Sequence, residues 1–160
     1  MISFFKAACL LVLIFLVPFP AYAEEVTGSA TVVDAEHLRI NGQVFRLAGI
    51  DVPAPDQICQ NKAGKDYKCG YIASTGLMDL TAGATVRCIS VENRGLHEIV
   101  ARCDADGYDL SKGMIYTGWA LPLASHEAEF RKVFKQAKTR KYGLWAGKFE
   151  RPDQWRSREK

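Results

Sequence analysis

The sequence predicts a β-barrel with helices, in which a five-stranded Greek-key barrel is followed by C-terminal helices. One observation is the dipeptide Asn41-Gly42, which is a strong hairpin turn between two β-type runs. Two further β-type runs each carry a cysteine, and an amphipathic helical pattern follows them. Three strands, a helix, two strands and terminal helices are the order expected of a barrel of the OB type.

The first three strands are predicted from runs rich in β-branched residues. Asn41-Gly42 tolerates the positive φ angles of a two-residue turn, so the runs on either side of it should pair. Pro53 and Pro55 are incompatible with a continuing strand and predict a loop. The assignments are strands at 29–34, 38–40 and 43–50, and a loop at 52–65.

Helix and strand signals alternate in the second half of the chain. Apolar residues between 130 and 137 recur at i, i+3, i+4 and i+7, which predicts an amphipathic helix with Ser125 as its N-cap. The assignments are a helix at 67–81, strands at 85–91 and 98–104, a short helix that ends at Tyr116, and a helix that begins at Ser125 and ends at Gly143.

The first 23 residues have the pattern of a cleaved secretory signal. Lys6 precedes a short apolar run, and Ala21-Tyr22-Ala23 provides the small residues that signal peptidase reads. A membrane anchor is the alternative, but the run is shorter than the roughly 20 residues that span a bilayer. We therefore expect a signal peptide at 1–23 and an exported domain at 24–160, periplasmic or secreted, monomeric and without membrane association after cleavage.

The charge distribution is uneven. The chain has 21 Lys and Arg against 18 Asp and Glu, a formal net charge of +3. Eleven of these cations but only three acids lie in residues 131–160, and we interpret 147–160 as a basic tail. Such a tail suits any polyanion, so it does not discriminate between nucleic acid and other anionic polymers.

Four cysteines remain after signal cleavage, and an even number in an exported chain favours disulfides. Four cysteines allow three pairings. Cys88 and Cys103 lie symmetrically about Gly95-Leu96 in two predicted strands, so a hairpin would bring their sulfurs together. That pairing leaves Cys59 with Cys69. A zinc site is the competing interpretation, but the chain lacks a Cys-x-x-Cys pair and its histidines are scattered.

A series of short sequence words resembles the thermonuclease family, of which staphylococcal nuclease is the best-known member. The words occur in the family's order across nearly the whole predicted mature chain. They are TVVD at 31–34, FRLAGIDVP at 45–53, IVARCDADG at 99–107, DL at 109–110, GWA at 118–120 and YGLWAG at 142–147. The resemblance implies an OB-fold domain and calcium-dependent cleavage of phosphodiesters in DNA and RNA.

The resemblance assigns metal-binding and phosphate-binding roles to particular residues of this chain. Asp34 matches an acidic residue of the first metal-binding element, and Glu36 replaces a metal-ligand aspartate of the same element. Asp51 matches the second ligand aspartate, and Val52 can offer a backbone carbonyl. Arg46 matches the family's first phosphate-binding arginine. Calcium is therefore the expected cofactor, since hard cations prefer oxygen ligands.

Two family positions have lost their chemistry. Ala54 stands where the family has a glutamate that acts as or positions the general base, and an alanine accepts no proton. Asp56 could replace that base only if the loop were rebuilt. Glu98 stands where the family has its second arginine, so it places negative charge where a phosphoryl transition state needs positive charge.

These substitutions leave three functional hypotheses. The leading one is an exported thermonuclease-like domain with impaired or no hydrolysis that acts as a binding module for nucleic acid or another polyanion. The second is a calcium-dependent nuclease with a rearranged site. The third is a role in the cell envelope or in exopolysaccharide production, with an acidic polysaccharide in the same groove.

Overall fold

The structure is a computed structural model that describes residues 24–93 and 98–158, so the predicted signal peptide lies outside the described residues. The strands are β1 (Glu25–Gly28), β2 (Thr31–Val32), β3 (His37–Ile40), β4 (Gln43–Leu47), β5 (Ile50–Asp51), β6 (Ile58–Gln60), β7 (Asp66–Lys68), β8 (Val86–Asn93), β9 (Ile99–Ala105), β10 (Tyr108–Asp109) and β11 (Leu121–Pro122). The helices are α1 (Cys69–Thr81), α2 (Leu110–Tyr116), α3 (Glu127–Arg140) and α4 (Pro152–Arg158).

The main sheet is mixed and has the strand order β1-β8-β9-β4-β3-β2, with β10 paired to β9. Its pairs are antiparallel except that β4 and β9 run parallel. Two smaller sheets join β5 to β11 and β6 to β7. The combination of this sheet with four helices confirms the predicted α+β class and is consistent with an OB-fold-like domain.

One apolar core joins the sheet to three of the helices. Leu38 and Phe45 project from β3 and β4, and they are fully buried together with Leu77 of α1 and Met114 of α2. Phe130 of α3 belongs to the same core. Each such side chain contributes about 2 kcal/mol through burial. The core therefore fixes the strand ends at which the candidate site lies.

The predicted cysteine hairpin is confirmed. Cys88 of β8 lies opposite Cys103 of β9, and their sulfur atoms are 2.02 Å apart. Cys59 and Cys69 form the second pair, at 2.00 Å. The predicted turn at Gly95-Leu96 lies outside the described residues. Both disulfides are compatible with an exported protein.

The chain after β5 departs from the prediction. The loop predicted at 52–65 contains β6, which pairs with β7 in a short hairpin. A three-residue strand is too short to show a recognisable alternation of apolar and polar residues in the sequence. The disulfide from Cys59 to Cys69 constrains this hairpin instead. The third predicted strand also stops early, because Gly49 has a φ of +78° and turns the chain between β4 and β5.

Several elements near the two ends of the chain, and the bounds of α3, also differ from the prediction. β1 and α4 lie where no regular element was predicted, and Ser125 lies in a 3-10 turn (Ala124–His126) rather than at the cap of α3. Lys141 ends α3 in the left-handed conformation, two residues before the predicted Gly143. Within the described parts of the chain, no helix combines the length and the apolar character needed to cross a membrane.

Candidate functional site

Asp34 organises the turn that carries the first acidic element. Its Oδ1 accepts hydrogen bonds from the backbone N–H groups of Glu36 and His37, both at 2.9 Å. Aspartate favours this local arrangement because its short side chain can replace a missing backbone partner. Asp34 therefore holds the Glu36 and His37 side chains at the start of β3.

Glu36 and Arg46 form the first ion pair of the site. Glu36 Oε2 accepts from Arg46 Nε at 3.1 Å and lies 3.0 Å from a terminal guanidinium nitrogen. Both side chains are largely buried, with 16% and 17% exposed. Burial raises the pKa of Glu36, and the Arg46 charge opposes that rise. The guanidinium expected to bind phosphate is thus already paired within the chain.

His37 joins Asp34 to Glu98. Its Nδ1 lies 2.8 Å from Asp34 Oδ1, and its Nε2 lies 3.3 Å from Glu98 Oε1. Only the imidazolium form can donate from both nitrogens. The hydrogen bond to Asp34 raises the pKa of His37 against the effect of burial. Burial would raise the pKa of Asp34, but the His37 and backbone hydrogen bonds outweigh it and lower that pKa.

Asp51 is bound by a residue from the other end of the domain. Its carboxylate is 5% exposed at the end of β5, and Oδ1 accepts a hydrogen bond from the guanidinium of Arg156 on α4. The same guanidinium donates to the Val52 carbonyl oxygen at 3.2 Å. Arg156 therefore binds both groups that the resemblance assigns to a metal ion at this strand end.

The donor set does not fit a calcium ion in this arrangement. Ca²⁺ takes six to eight oxygen ligands, with carboxylates prominent among them. Asp51 and Val52 are bound by Arg156, and Glu36 by Arg46. Within residues 24–93 and 98–158, no three His, Cys, Asp or Glu side chains are grouped so that they could hold a metal ion.

Ala54 lies in a loop that the surrounding structure holds firmly. Gln57 is fully buried, accepts from the Ala54 N–H at 3.2 Å and donates to the Glu150 carbonyl at 2.8 Å. On the other side α1 approaches so closely that a Cβ at Gly70 would lie 1.8 Å from the Ala54 carbonyl oxygen. Asp56 is exposed on this loop.

The predicted site residues fall into two groups, which differ in the basic side chain that each group contacts. Asp34, Glu36, Arg46 and Glu98 surround His37, whereas Asp51 and Val52 are joined to Arg156. Glu98 contacts His37, whereas Arg46 pairs with Glu36. Sequence reasoning missed the roles of His37 and Arg156. The adjacency of His37 to Asp34 offered a local signal for the first, and the basic tail offered none for the second.

Two comparisons with known proteins bear on this site. The family described as "Staphylococcal nuclease homologue" matches residues 44–147 of this chain. The protein named "Succinoglycan biosynthesis protein ExoI" from Rhizobium meliloti (strain 1021) is 29% identical over 126 residues, which cover 77% of this chain. The match spans 66% of that relative's own length.

Proposed function

This chain belongs to the staphylococcal nuclease family, and we propose that it is an exported member that binds an anionic polymer without hydrolysing phosphodiesters. The observation that carries the proposal is the internal pairing of the site. Arg46 is held by Glu36, and Asp51 by Arg156. A phosphate or a metal ion would have to displace a residue of the chain itself before it could bind.

The size of the expected loss in hydrolysis rate follows from the two catalytic groups that are replaced by Ala54 and Glu98. General acid–base catalysis contributes about 10²–10⁴-fold, and one preorganised electrostatic donor about 10²–10³-fold. Ala54 removes the first contribution and Glu98 the second. If the two effects multiply, hydrolysis falls by about 10⁴–10⁷-fold. The Arg156 contact acts in the same direction because it neutralises Asp51.

Binding of an anionic polymer agrees with the charge of the C-terminal part of the chain. Cations outnumber acids there, and most of them are exposed. The name of the Rhizobium relative places that protein in the biosynthesis of succinoglycan. This favours a polysaccharide-related role as the specific form of the proposal. Export agrees with the two disulfides and with the signal-like N-terminus.

The proposal is tested by the release of acid-soluble fragments from single-stranded DNA and from RNA, in calcium and in a chelator, beside a known thermonuclease. We expect release near background in both media. Fluorescence anisotropy with labelled anionic polymers should show binding that weakens with salt and is equal in calcium and in chelator. Calcium-dependent digestion that stops in Glu36→Ala or Asp51→Ala would instead establish a nuclease with a rearranged site.

A further inference from the structure

A second charged surface uses none of the residues of the candidate site. It lies where the β6–β7 hairpin meets the end of α3 and the chain that follows. Two depressions of about 370 and 300 Å³ adjoin here, and both are lined by Lys62 and Ala146. Four cations line the pair of depressions, which we call the basic groove: Lys62, Arg140, Lys141 and Lys148.

The basic groove has a rigid frame. Gln60 and Lys148 exchange two backbone hydrogen bonds, at 2.8 and 2.9 Å, so the chain after α3 meets the hairpin through one strand-like bridge. A Cβ at Gly147 would lie 1.9 Å from the Gln60 carbonyl oxygen, so only glycine permits this approach. The disulfide from Cys59 to Cys69 anchors the same hairpin to α1. The backbone of the hairpin that carries Lys62 is therefore joined directly to the backbone of Lys148.

The four cations carry charge that the described structure leaves uncompensated. All four side chains are exposed, and within residues 24–93 and 98–158 none forms an ion pair with an acid. Arg140 donates a hydrogen bond to the Tyr142 hydroxyl, at 3.2 Å. Among the described residues, no acidic side chain lines either depression. The groove therefore attracts anions, in contrast to the self-neutralised site at Arg46 and Asp51.

The helix dipole accounts for part of this cluster but not for all of it. Arg140 and Lys141 lie at the C-terminus of α3, where cations are favoured on any helix. Lys62 comes from the hairpin turn and Lys148 from the strand-like segment, and neither belongs to that helix. Their convergence on the same depressions needs a different explanation, which an anionic ligand supplies.

The lining of the groove indicates the class of polymer. Proteins that bind single-stranded nucleic acids stack bases on aromatic side chains. Among the described residues, no aromatic side chain lines either of the two depressions, and Phe149 and Trp155 line a neighbouring cavity that shares Gln60 and Lys148 with the groove. Amide side chains line it instead. Asn61 Oδ1 accepts from the N–H groups of Ala63 and Lys65, which leaves its NH₂ group to donate outward. Gln60 retains an acceptor oxygen, since it donates to Asp66. Amides and ammonium groups together suit hydroxyls and carboxylates.

We infer that the basic groove is the binding site for an acidic polysaccharide, whose carboxylates contact the four cations and whose hydroxyls contact the Gln60 and Asn61 amides. This inference rests on the proposed function, namely that the chain binds an anionic polymer. It adds the place of binding, away from the nuclease-type site, and the class of ligand.

The test compares the wild type with Lys62→Glu/Lys148→Glu and with Lys112→Glu/Lys132→Glu. The second variant makes the same change in net charge at two exposed lysines that do not line the groove. The probes are a labelled oligogalacturonate and an oligothymidylate with an equal number of charges, and thermal unfolding verifies that each variant is folded. We expect the groove variant to bind oligogalacturonate about tenfold more weakly or worse, and the control to bind about as the wild type does.

Each outcome is decisive. Equal binding by the groove variant and the wild type would overturn the location while leaving the proposed function in place. Binding of oligothymidylate alone would overturn the polysaccharide assignment in favour of a nucleic acid. A wild-type protein that binds neither probe would overturn the proposed function together with this inference. An equal loss of binding in the control variant would show that net charge alone determines affinity, and it would also overturn the basic groove as the binding site.

Discussion

At the scale of a single residue, Asp51 is a buried carboxylate that an arginine of the same chain neutralises. A carboxylate that is 5% exposed is costly unless a positive charge accompanies it. Arg156 provides that charge from α4 and also satisfies the Val52 carbonyl. His37 has the corresponding role between Asp34 and Glu98. Two basic side chains of the protein thus stabilise three acids of the candidate site, namely Asp51, Asp34 and Glu98.

Replacing Arg156 should therefore destabilise the fold. Removal of one partner from a fully buried pair costs about 3–5 kcal/mol. The Arg156 side chain is 43% exposed, so water screens part of this cost. We expect Arg156→Ala to lower the free energy of unfolding by about 1–2 kcal/mol in urea titrations. The control is Arg158→Ala, whose pair with Glu150 is more exposed and should matter less. Equal losses in the two variants would contradict the role of Arg156.

The stabilising effect of His37 should depend on pH. The pKa of His37 in the folded protein is raised above its ordinary value of 6.5, chiefly by the hydrogen bond to Asp34. Its contribution is thus fully present below about pH 6.5 and is lost as the pH rises through the folded pKa. We expect His37→Gln to lower the free energy of unfolding by about 1–2 kcal/mol at pH 6 and by less at pH 9.

An NMR titration of the His37 ring provides the matched measurement. Asp34→Asn keeps the oxygen that accepts from the Glu36 and His37 backbone but removes the charge. The pKa of His37 should fall in this variant, because the hydrogen bond to the Asp34 carboxylate is the largest cause of its elevation. An unchanged pKa would show that the pair does not act in solution.

At the scale of elements, the β6–β7 hairpin is the unit that joins three parts of the molecule. Its disulfide connects it to α1, its Gln60 pairs with Lys148 after α3, and the preceding Gln57 binds the Glu150 carbonyl at the approach to α4. A hairpin of two three-residue strands is marginal by itself. Its order depends on these connections.

The two disulfides should therefore differ in the local effect of their removal. Each closes a loop of similar length, 10 and 15 residues, so each should contribute about 3 kcal/mol to global stability in the chain-entropy account. Cys88 and Cys103 lie within the main sheet, whose ladder persists without them. Cys59→Ala/Cys69→Ala should accelerate hydrogen exchange in β6 and β7, whereas Cys88→Ala/Cys103→Ala should leave that hairpin protected. Exchange that rises equally in the hairpin of both variants would contradict this account.

At the scale of the whole molecule, the C-terminal segment contributes cations to two separate regions of the fold. It supplies Arg156 to the end of β5 and Lys148 to the basic groove. The positive charge of the tail is thus divided between neutralising an internal acid and remaining available to a ligand. A shared fold does not by itself establish a shared activity.

Activity should be recoverable in stages if this account is right. Ala54→Glu/Glu98→Arg restores the two lost groups and should raise DNA cleavage above background. Adding Arg156→Ala frees Asp51 and Val52 and should raise it further, provided that the triple variant remains folded by circular dichroism. Arg158→Ala in place of Arg156→Ala is the control and should add nothing. A double variant as active as the triple one would show that Arg156 does not close the site.

The sequence by itself determined the α+β class, the order of the main elements and the disulfide pairing, and it identified Ala54 and Glu98 as departures from the family's pattern. These features depend on local chemistry: turn residues, β-branched runs, the symmetric placement of two cysteines, and side chains that cannot accept a proton or carry positive charge. They can be predicted from the sequence because each depends on residues that are close together in the chain or face each other across one hairpin.

Only the tertiary structure decided where the long-range charges pair. Arg156 meets Asp51 across more than a hundred residues, and Lys148 meets the hairpin through a backbone bridge that Gly147 permits. No periodic pattern encodes such contacts, since they depend on how helices and loops pack over a shared core. The candidate site and the basic groove are therefore distinguished by packing, which leaves the cations of one paired and those of the other exposed to solvent.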